Sequence, residues 1–255
     1  MNVVPPAVAG RWRWVTTPPT VTPTPGTIVR LELKPVTKTI FHGSQTSRDA
    51  GYGLAKFMMS KTGTKKIGVV LHSNEWSKGY RDPMVEYLEK NGLKPAVEVT
   101  LERGQSDATA QVLRLKEAGL DFVAAILYEP ELVVFLRDAH KLGLNVMKVG
   151  ALGADYLNTE KRLGSRDPMK DYYQIFQYKD VIDGPGMKKA REIIEPRLPQ
   201  GEKVTDFTFY GPGSAVVIAH VLDKIGRDLT REKFIDEMNK FDGNQIVELA
   251  KKSTW

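Results

Sequence analysis

Hydrophobic residues recur along the chain in short β-branched runs that alternate with amphipathic stretches. The runs are KIGVVL (66–71), AVEVT (96–100), DFVAAIL (121–127) and VMKVG (146–150), and their starts lie 30, 25 and 25 residues apart. This spacing predicts successive βα units, and nearly all-apolar runs are typical of parallel strands that helices cover on both faces. The pattern therefore predicts an α/β fold with an open, mostly parallel sheet.

The stretches between the runs carry signals for the beginning and end of helices. Asp107 is a candidate N-cap, Pro130 falls in the first turn of the stretch ELVVFLRDAHKLG, and Gly143 is placed to end it. Five positions at helical spacing form the predicted buried face of this second helix: Leu132, Phe135, Leu136, Ala139 and Gly143.

The beginning of the chain has a different composition. Residues 1–36 hold 7 of the 15 prolines and show neither helical nor strand periodicity. Each proline lacks a backbone donor and biases the preceding residue away from the helical region. We therefore predict that residues 1–37 form a disordered arm.

Composition excludes several classes of protein. The chain contains no cysteine, which excludes disulfides and thiolate metal sites. Of the net charge of +6, residues 1–60 carry +5, so no basic stripe for nucleic acid is expected elsewhere. No apolar run approaches the roughly 20 residues of a membrane span, so the protein is not expected to be membrane-embedded. The start, MNVVPPAVAGRWRW, does not have the pattern of an export signal, so the chain as given would stay in the cytoplasm.

Loops at the carboxyl ends of the predicted strands are the candidates for function, because the ligand crevice of an open α/β sheet lies there. Trp76 belongs to the first such loop, Tyr128 and Glu129 to the third, and Leu152 with Asp155 to the fourth. A large aromatic side chain at this position suits the wall of a ligand crevice. Trp76 could equally attach the following helix to the sheet, and position alone does not decide between the two.

Catalytic constellations are not evident in the sequence. The four histidines, His42, His72, His140 and His220, are scattered and have no metal-binding spacing. The chain has no nucleophile elbow, phosphate-binding loop or dinucleotide fingerprint. We therefore expect a protein that is not an enzyme and that uses no metal or other cofactor.

Three segments together resemble a known family. KKIGVVLHSNEWSKGYRDPMVEYLEKNGLK, SDATAQVLRLKEAGLDFVAAILYEPELVVFLRDAHKLGL and FYGPGSAVVIAHVLDKIGRDLTREKFIDEM are similar to the branched-chain amino acid type of periplasmic substrate-binding protein that serves ABC transporters. The resemblance covers about residues 38–240. It implies two α/β lobes with a small ligand enclosed between them, a periplasmic location, an ABC permease as partner, and binding without catalysis.

The chain departs from this family in two ways. Members begin with an export signal and about a hundred residues of a first lobe, where this chain has its Pro-rich arm, and the ending stops before the family's final strands. The resemblance implies a ligand-binding lobe over residues 38–206 and a helical return segment of the incomplete other lobe over residues 207–255. We therefore expect a truncated or frameshifted product, or a fragment.

The resemblance also implies which residues touch the ligand. The family's D-x-Y-G-x-G loop corresponds to residues 74–79, NEWSKG, so Asn74 begins the loop and Trp76 replaces a ligand-contacting tyrosine. Tyr128 and Glu129 fall in a loop that supplies another aromatic contact. Leu152 takes about the position of an acidic residue that binds the ammonium group of amino acids, which argues against an amino-acid ligand.

Two functional hypotheses follow. The first is a solute-binding component of an ABC-type importer that binds an amino-acid-like solute, an aromatic or aliphatic carboxylate, or an amide between its lobes. The second is a cytoplasmic ligand sensor or partner-binding module that uses the same lobe.

Overall fold

A computed structural model of the chain describes residues 2–4, 39, 41, 46–61, 63–176, 184–205 and 207–241. The chain divides into two compact units. Residues 1–16 and 47–186 belong to unit 1, and residues 17–46 and 187–255 belong to unit 2. The division at 186/187 differs from the boundary at 206/207 that the sequence suggested. The predicted arm, residues 1–37, lies outside the described residues except for a short strand at 2–4.

The core of unit 1 is a single sheet with the spatial order β1-β6-β5-β4-β2-β3. Strands β2 to β6 pair in parallel, and β1 pairs with β6 antiparallel at the edge. Leu71 is paired with both Thr100 and Ile126, so β2, β3 and β4 end at the same level. The strands are β1 (Asn2–Val4), β2 (Ile67–Leu71), β3 (Pro95–Thr100), β4 (Phe122–Ile126), β5 (Met147–Gly150) and β6 (Tyr172–Phe176).

Helices α1 to α5 belong to unit 1, and α6 to α8 belong to unit 2. Short 3-10 helices lie at Asp167–Met169, Pro185–Met187 and Glu195–Arg197. No helix among the described residues is long and apolar enough to cross a lipid bilayer. The helices are α1 (Ser47–Met59), α2 (Glu75–Lys90), α3 (Thr109–Glu117), α4 (Glu129–Lys141), α5 (Tyr156–Leu163), α6 (Lys188–Ile194), α7 (Tyr210–Ile225) and α8 (Arg231–Lys240).

Helices cover the sheet on both faces, because successive side chains of a strand point to opposite sides. In β4, Phe122, Ala124 and Ile126 join a cluster with α1 and α2. Val123 and Ala125 join a second cluster with α3 and α4. All five β4 side chains are buried. The structure thus confirms the predicted α/β fold class and its mostly parallel sheet.

The four predicted strands are confirmed to within one residue at each end. Pro130 lies in the first turn of α4, and Gly143, with φ +68°, follows its end. Asp107 accepts a hydrogen bond from the Thr109 N–H (2.9 Å), but the residue preceding α3 is Ala108, so the predicted cap is displaced by one position. The predicted buried face of α4 is confirmed at four positions, Leu132, Phe135, Leu136 and Ala139, all within the core.

Unit 2 has a small apolar core of its own. Val221, Met238 and Phe241 are buried where α7 packs against α8. An adjacent side of α7 carries exposed apolar residues. Ile218 is 44% exposed and Leu222 is 37% exposed. On the same helix, Ala215 and Ala219 are also exposed, and Val216 is half-buried.

Lys148 is a charged residue inside the sheet. It lies on β5 with only 4% of its surface exposed, and its Nζ donates a hydrogen bond to the Val146 carbonyl (2.8 Å). Burial lowers the pKa of Lys148 to about 8, although the charge of Asp171 acts in the opposite direction. Since desolvation disfavours the ammonium form, this residue makes the folded state sensitive to pH.

We expect the stability of the protein, relative to that of a Lys148→Met variant, to increase as pH rises from about 8 towards 10.5. In this window the unfolded chain holds a proton on Lys148 that the folded chain has lost, so folding is favoured by up to about 3 kcal/mol. Denaturant unfolding at several pH values measures the difference. Replacement of the exposed Lys170 by Met serves as control and should give no such trend. Parallel curves for the wild type and Lys148→Met would contradict the prediction.

We also expect the chain to self-associate through the exposed side of α7, because contiguous apolar surface of this kind favours association. A double change, Ile218→Lys with Leu222→Glu, should lower the average mass measured by light scattering at high concentration. Leu113→Lys, at another exposed apolar residue (42% exposed), is the control and should leave the mass unchanged. A wild type that is monomeric at every concentration would show that this face does not associate.

Candidate functional site

Two aromatic side chains meet at the carboxyl ends of β2 and β4. Trp76 is the second residue of α2, and Tyr128 directly precedes α4. Their rings stack with centroids 4.4 Å apart and planes 24° apart. The Trp76 ring also contacts that of Tyr80 (4.9 Å). Both Trp76 and Tyr128 are half-buried, so the pair presents part of an aromatic surface at the strand ends.

Gly153 makes room for the tryptophan. A Cβ atom at this position would lie 2.5 Å from the Trp76 ring and 2.5 Å from the Leu127 carbonyl oxygen. Such distances are far below van der Waals contact, so any other residue would displace the ring. The loop after β5 therefore packs closely against the Trp76 ring, and the sequence did not reveal this contact.

His72 connects three loops from inside the protein. Its side chain is 1% exposed, and its Nδ1 lies 2.7 Å from the Leu101 carbonyl oxygen. Its Nε2 accepts a hydrogen bond from the Tyr128 N–H (3.1 Å). Both bonds are satisfied by the neutral tautomer with its hydrogen on Nδ1. The imidazole ring also stacks on the Tyr128 ring at 5.0 Å.

Glu131 lies beside this histidine and is itself buried. Its Oε1 accepts a hydrogen bond from the Gly104 N–H (2.8 Å), which ties the β3–α3 loop to α4. Its Oε2 lies 3.5 Å from His72 Nε2 and has no hydrogen-bond partner among the described residues. The two side chains form an ion pair only when the imidazole is protonated.

Glu129 faces the loop that follows β5. Its Oε1 accepts a hydrogen bond from Arg162 (3.3 Å), and its Oε2 accepts one from the Asp155 N–H (3.4 Å). Asp155 is buried and caps α5 by accepting from the Asn158 N–H (2.7 Å). Both carboxylates that the sequence placed near the crevice thus have internal partners.

Asn74 and Leu152 are the remaining predicted residues. Asn74 caps α2, because its side-chain oxygen accepts a hydrogen bond from the Ser77 N–H (2.9 Å). Leu152 is half-buried and, like Trp76, packs against the apolar cluster that α1 and α2 form with the sheet. Four of the five predicted residues therefore contribute side chains around one set of strand ends: Trp76, Tyr128, Glu129 and Leu152.

Arg103, in the loop after β3, also belongs to this site. The sequence did not indicate a role for this residue. The guanidinium carbon lies 5.3 Å from the centroid of the Tyr128 ring, and the side chain is exposed. The cation therefore lies against the aromatic pair from the side of the β3–α3 loop. Among the described residues, no cluster of three or more His, Asp or Glu side chains has the arrangement of a metal site.

Comparison with known families identifies the chain. A model of the family described as periplasmic binding protein matches residues 6–248. The chain belongs to the periplasmic binding protein family. The match begins inside the Pro-rich segment, so the resemblance extends further towards the start than the residues 38–240 that the sequence indicated.

Relatives of this periplasmic binding protein include a Leu/Ile/Val/Thr-binding protein of Salmonella typhimurium, 23% identical over 158 residues. That alignment covers 60% of this chain and 43% of the relative. Among solved structures, a leucine-binding protein of Thermotoga maritima matches with a TM-score of 0.62 at 20% identity, covering 75% of this chain and 54% of the other. A solute-binding protein of R. palustris in complex with benzoate matches with a TM-score of 0.66 at 13% identity, covering 80% and 55%.

We expect His72→Leu to lower the free energy of unfolding by about 2–4 kcal/mol, because the Leu101 carbonyl and the Tyr128 N–H then lose a buried partner. Chemical denaturation measures the change. His140→Leu is the matched control, since His140 is exposed on α4, and should stay within about 0.5 kcal/mol of the wild type. Equal effects of the two substitutions would show that His72 does not hold the loops together.

Proposed function

We propose that this periplasmic binding protein is the solute-binding component of an ABC-type importer, which binds a small organic solute in the periplasm and delivers it to a permease. The observation that carries the proposal is the stacked Trp76–Tyr128 pair at the carboxyl ends of the parallel strands. That edge is where open α/β sheets bind ligands. Aromatic rings there offer a broad apolar contact at a small entropic cost.

Polar side chains near the pair support binding rather than catalysis. Both nitrogens of His72 are used by backbone groups, and the Ser77 hydroxyl donates to the Ile126 carbonyl (3.2 Å). Asp155 caps a helix. A nucleophile and a general base need to reach each other and the substrate. These groups instead stabilise the loops that carry the aromatic rings.

The chemistry of the site favours a ligand without an ammonium group. By its resemblance to the family, Leu152 takes about the position where amino-acid-binding members carry an acidic residue. The carboxylate of Glu129 is already paired with Arg162. A buried ammonium without a partner costs several kcal/mol. We therefore propose an aromatic or aliphatic carboxylate, or an amide, as the ligand.

The names of the similar proteins are divided on this detail. The Salmonella protein is named for leucine, isoleucine, valine and threonine, whereas the R. palustris protein was solved with benzoate. We base the proposed ligand class on the side chains of the site and not on either name. One fold can bind many ligands, and the loop side chains select among them. The alignment spans less than half of the Salmonella relative, so importer role, permease and ligand are all part of the proposal.

We expect the full chain to bind benzoate or benzamide more tightly than leucine or valine, and Trp76→Ala to weaken that binding by about tenfold through loss of aromatic contact. Trp76→Phe retains a ring and should lose less. Calorimetry and saturation-transfer NMR at millimolar solute measure the dissociation constants. Leucine binding that is tighter than benzoate binding and unaffected by Trp76→Ala would overturn both the ligand class and the role of the tryptophan.

A further inference from the structure

Arg103 lies at the tip of a turn between β3 and α3 whose backbone is fixed by its neighbours. The Gln105 N–H donates to the Glu102 carbonyl (3.1 Å), and the Gln105 side-chain oxygen accepts from the Glu102 N–H (3.1 Å). Gly104 has φ +80°, which fits the third residue of a type II turn. Its N–H donates to the buried Glu131 Oε1 (2.8 Å). Arg103 is therefore presented by a turn that does not need its side chain.

The guanidinium of Arg103 lies over the Tyr128 ring, with its central carbon 5.3 Å from the ring centroid. It forms no hydrogen bond or ion pair with any residue in the described part of the chain. The adjacent carboxylate of Glu102 accepts a hydrogen bond from the Ser73 hydroxyl (2.9 Å). The five N–H donors of Arg103 are thus available at the edge of the aromatic pair.

Two other arginines of unit 1 pair with carboxylates and so stabilise the fold. Arg81 holds Glu98 through two hydrogen bonds of 2.7 and 3.0 Å, which link α2 to β3. Arg162 donates to Glu129. Arg103 differs from both, because its cation lies on the aromatic surface of the candidate site and forms no ion pair with a carboxylate of the described residues.

We infer that Arg103 binds the carboxylate of the solute while the apolar body of the solute lies against Trp76 and Tyr128. This inference rests on the proposed function and narrows it, because it assigns small organic carboxylates, rather than amides, as the substrate class. A guanidinium suits this task, since its planar donors match both oxygens of a carboxylate and its contact with Tyr128 restricts its position.

The test compares benzoate with benzamide, which have the same ring and differ in charge. For the full chain we expect benzoate to bind roughly tenfold more tightly, as a charge-assisted pair implies. Arg103→Gln should remove most of that preference, because benzoate loses a charge-assisted partner whereas benzamide loses at most a hydrogen bond to a neutral acceptor. Arg114→Gln is the matched control, because Arg114 is exposed on α3, and it should retain the preference.

Ionic strength gives a second readout that a merely structural arginine would not affect. Benzoate binding to the wild type should weaken between about 0.01 M and about 0.15 M salt, whereas its binding to Arg103→Gln should change much less. If both solutes bind through Trp76 but their ratio is the same in wild type and Arg103→Gln, the role of Arg103 is wrong and the binding function stands. If neither solute binds the wild type, the proposed function fails together with this inference.

Discussion

The candidate site depends on the buried imidazole of His72. In the sheet, β2 lies between β3 and β4, so a side chain at the end of β2 can reach the loops that leave both neighbours. His72 uses this position to accept from the Tyr128 N–H and to bond the Leu101 carbonyl. Buried backbone groups without partners are costly, so the loops take the conformations that this ring satisfies.

The aromatic pair follows from that arrangement. Because His72 fixes the backbone of Tyr128, it fixes where the tyrosine ring meets Trp76. The Glu129 N–H donates to the Gly153 carbonyl (3.1 Å), which brings the β5 loop against the tryptophan. Hydrogen bonds to the backbone thus determine the candidate site, and its two aromatic rings are positioned by residues of neighbouring loops.

Sequence patterns predicted the strands and the α4 face because burial imposes periodicity on apolar residues. They also located Trp76 and Tyr128, since strand ends follow from strand positions. They could not reveal the roles of His72 or Gly153, because the partners of these residues come from other loops and depend on the order of strands in the sheet. Asn74 fits the N-cap position by residue type alone, and the sequence resemblance placed it among ligand contacts instead.

The charges around the pair explain how one fold can select different solutes. Glu129 is paired with Arg162, and Glu131 contacts His72 and Gly104. Both carboxylates therefore interact with other residues of the protein. The cation of Arg103 has no such partner among the described residues and lies on the aromatic surface. Specificity is a difference between affinities, and the inferred role of Arg103 would give a solute anion a partner that a solute cation lacks. Since the sheet sets only where the loops leave it, a few substitutions at the strand ends suffice to change the ligand while the fold persists.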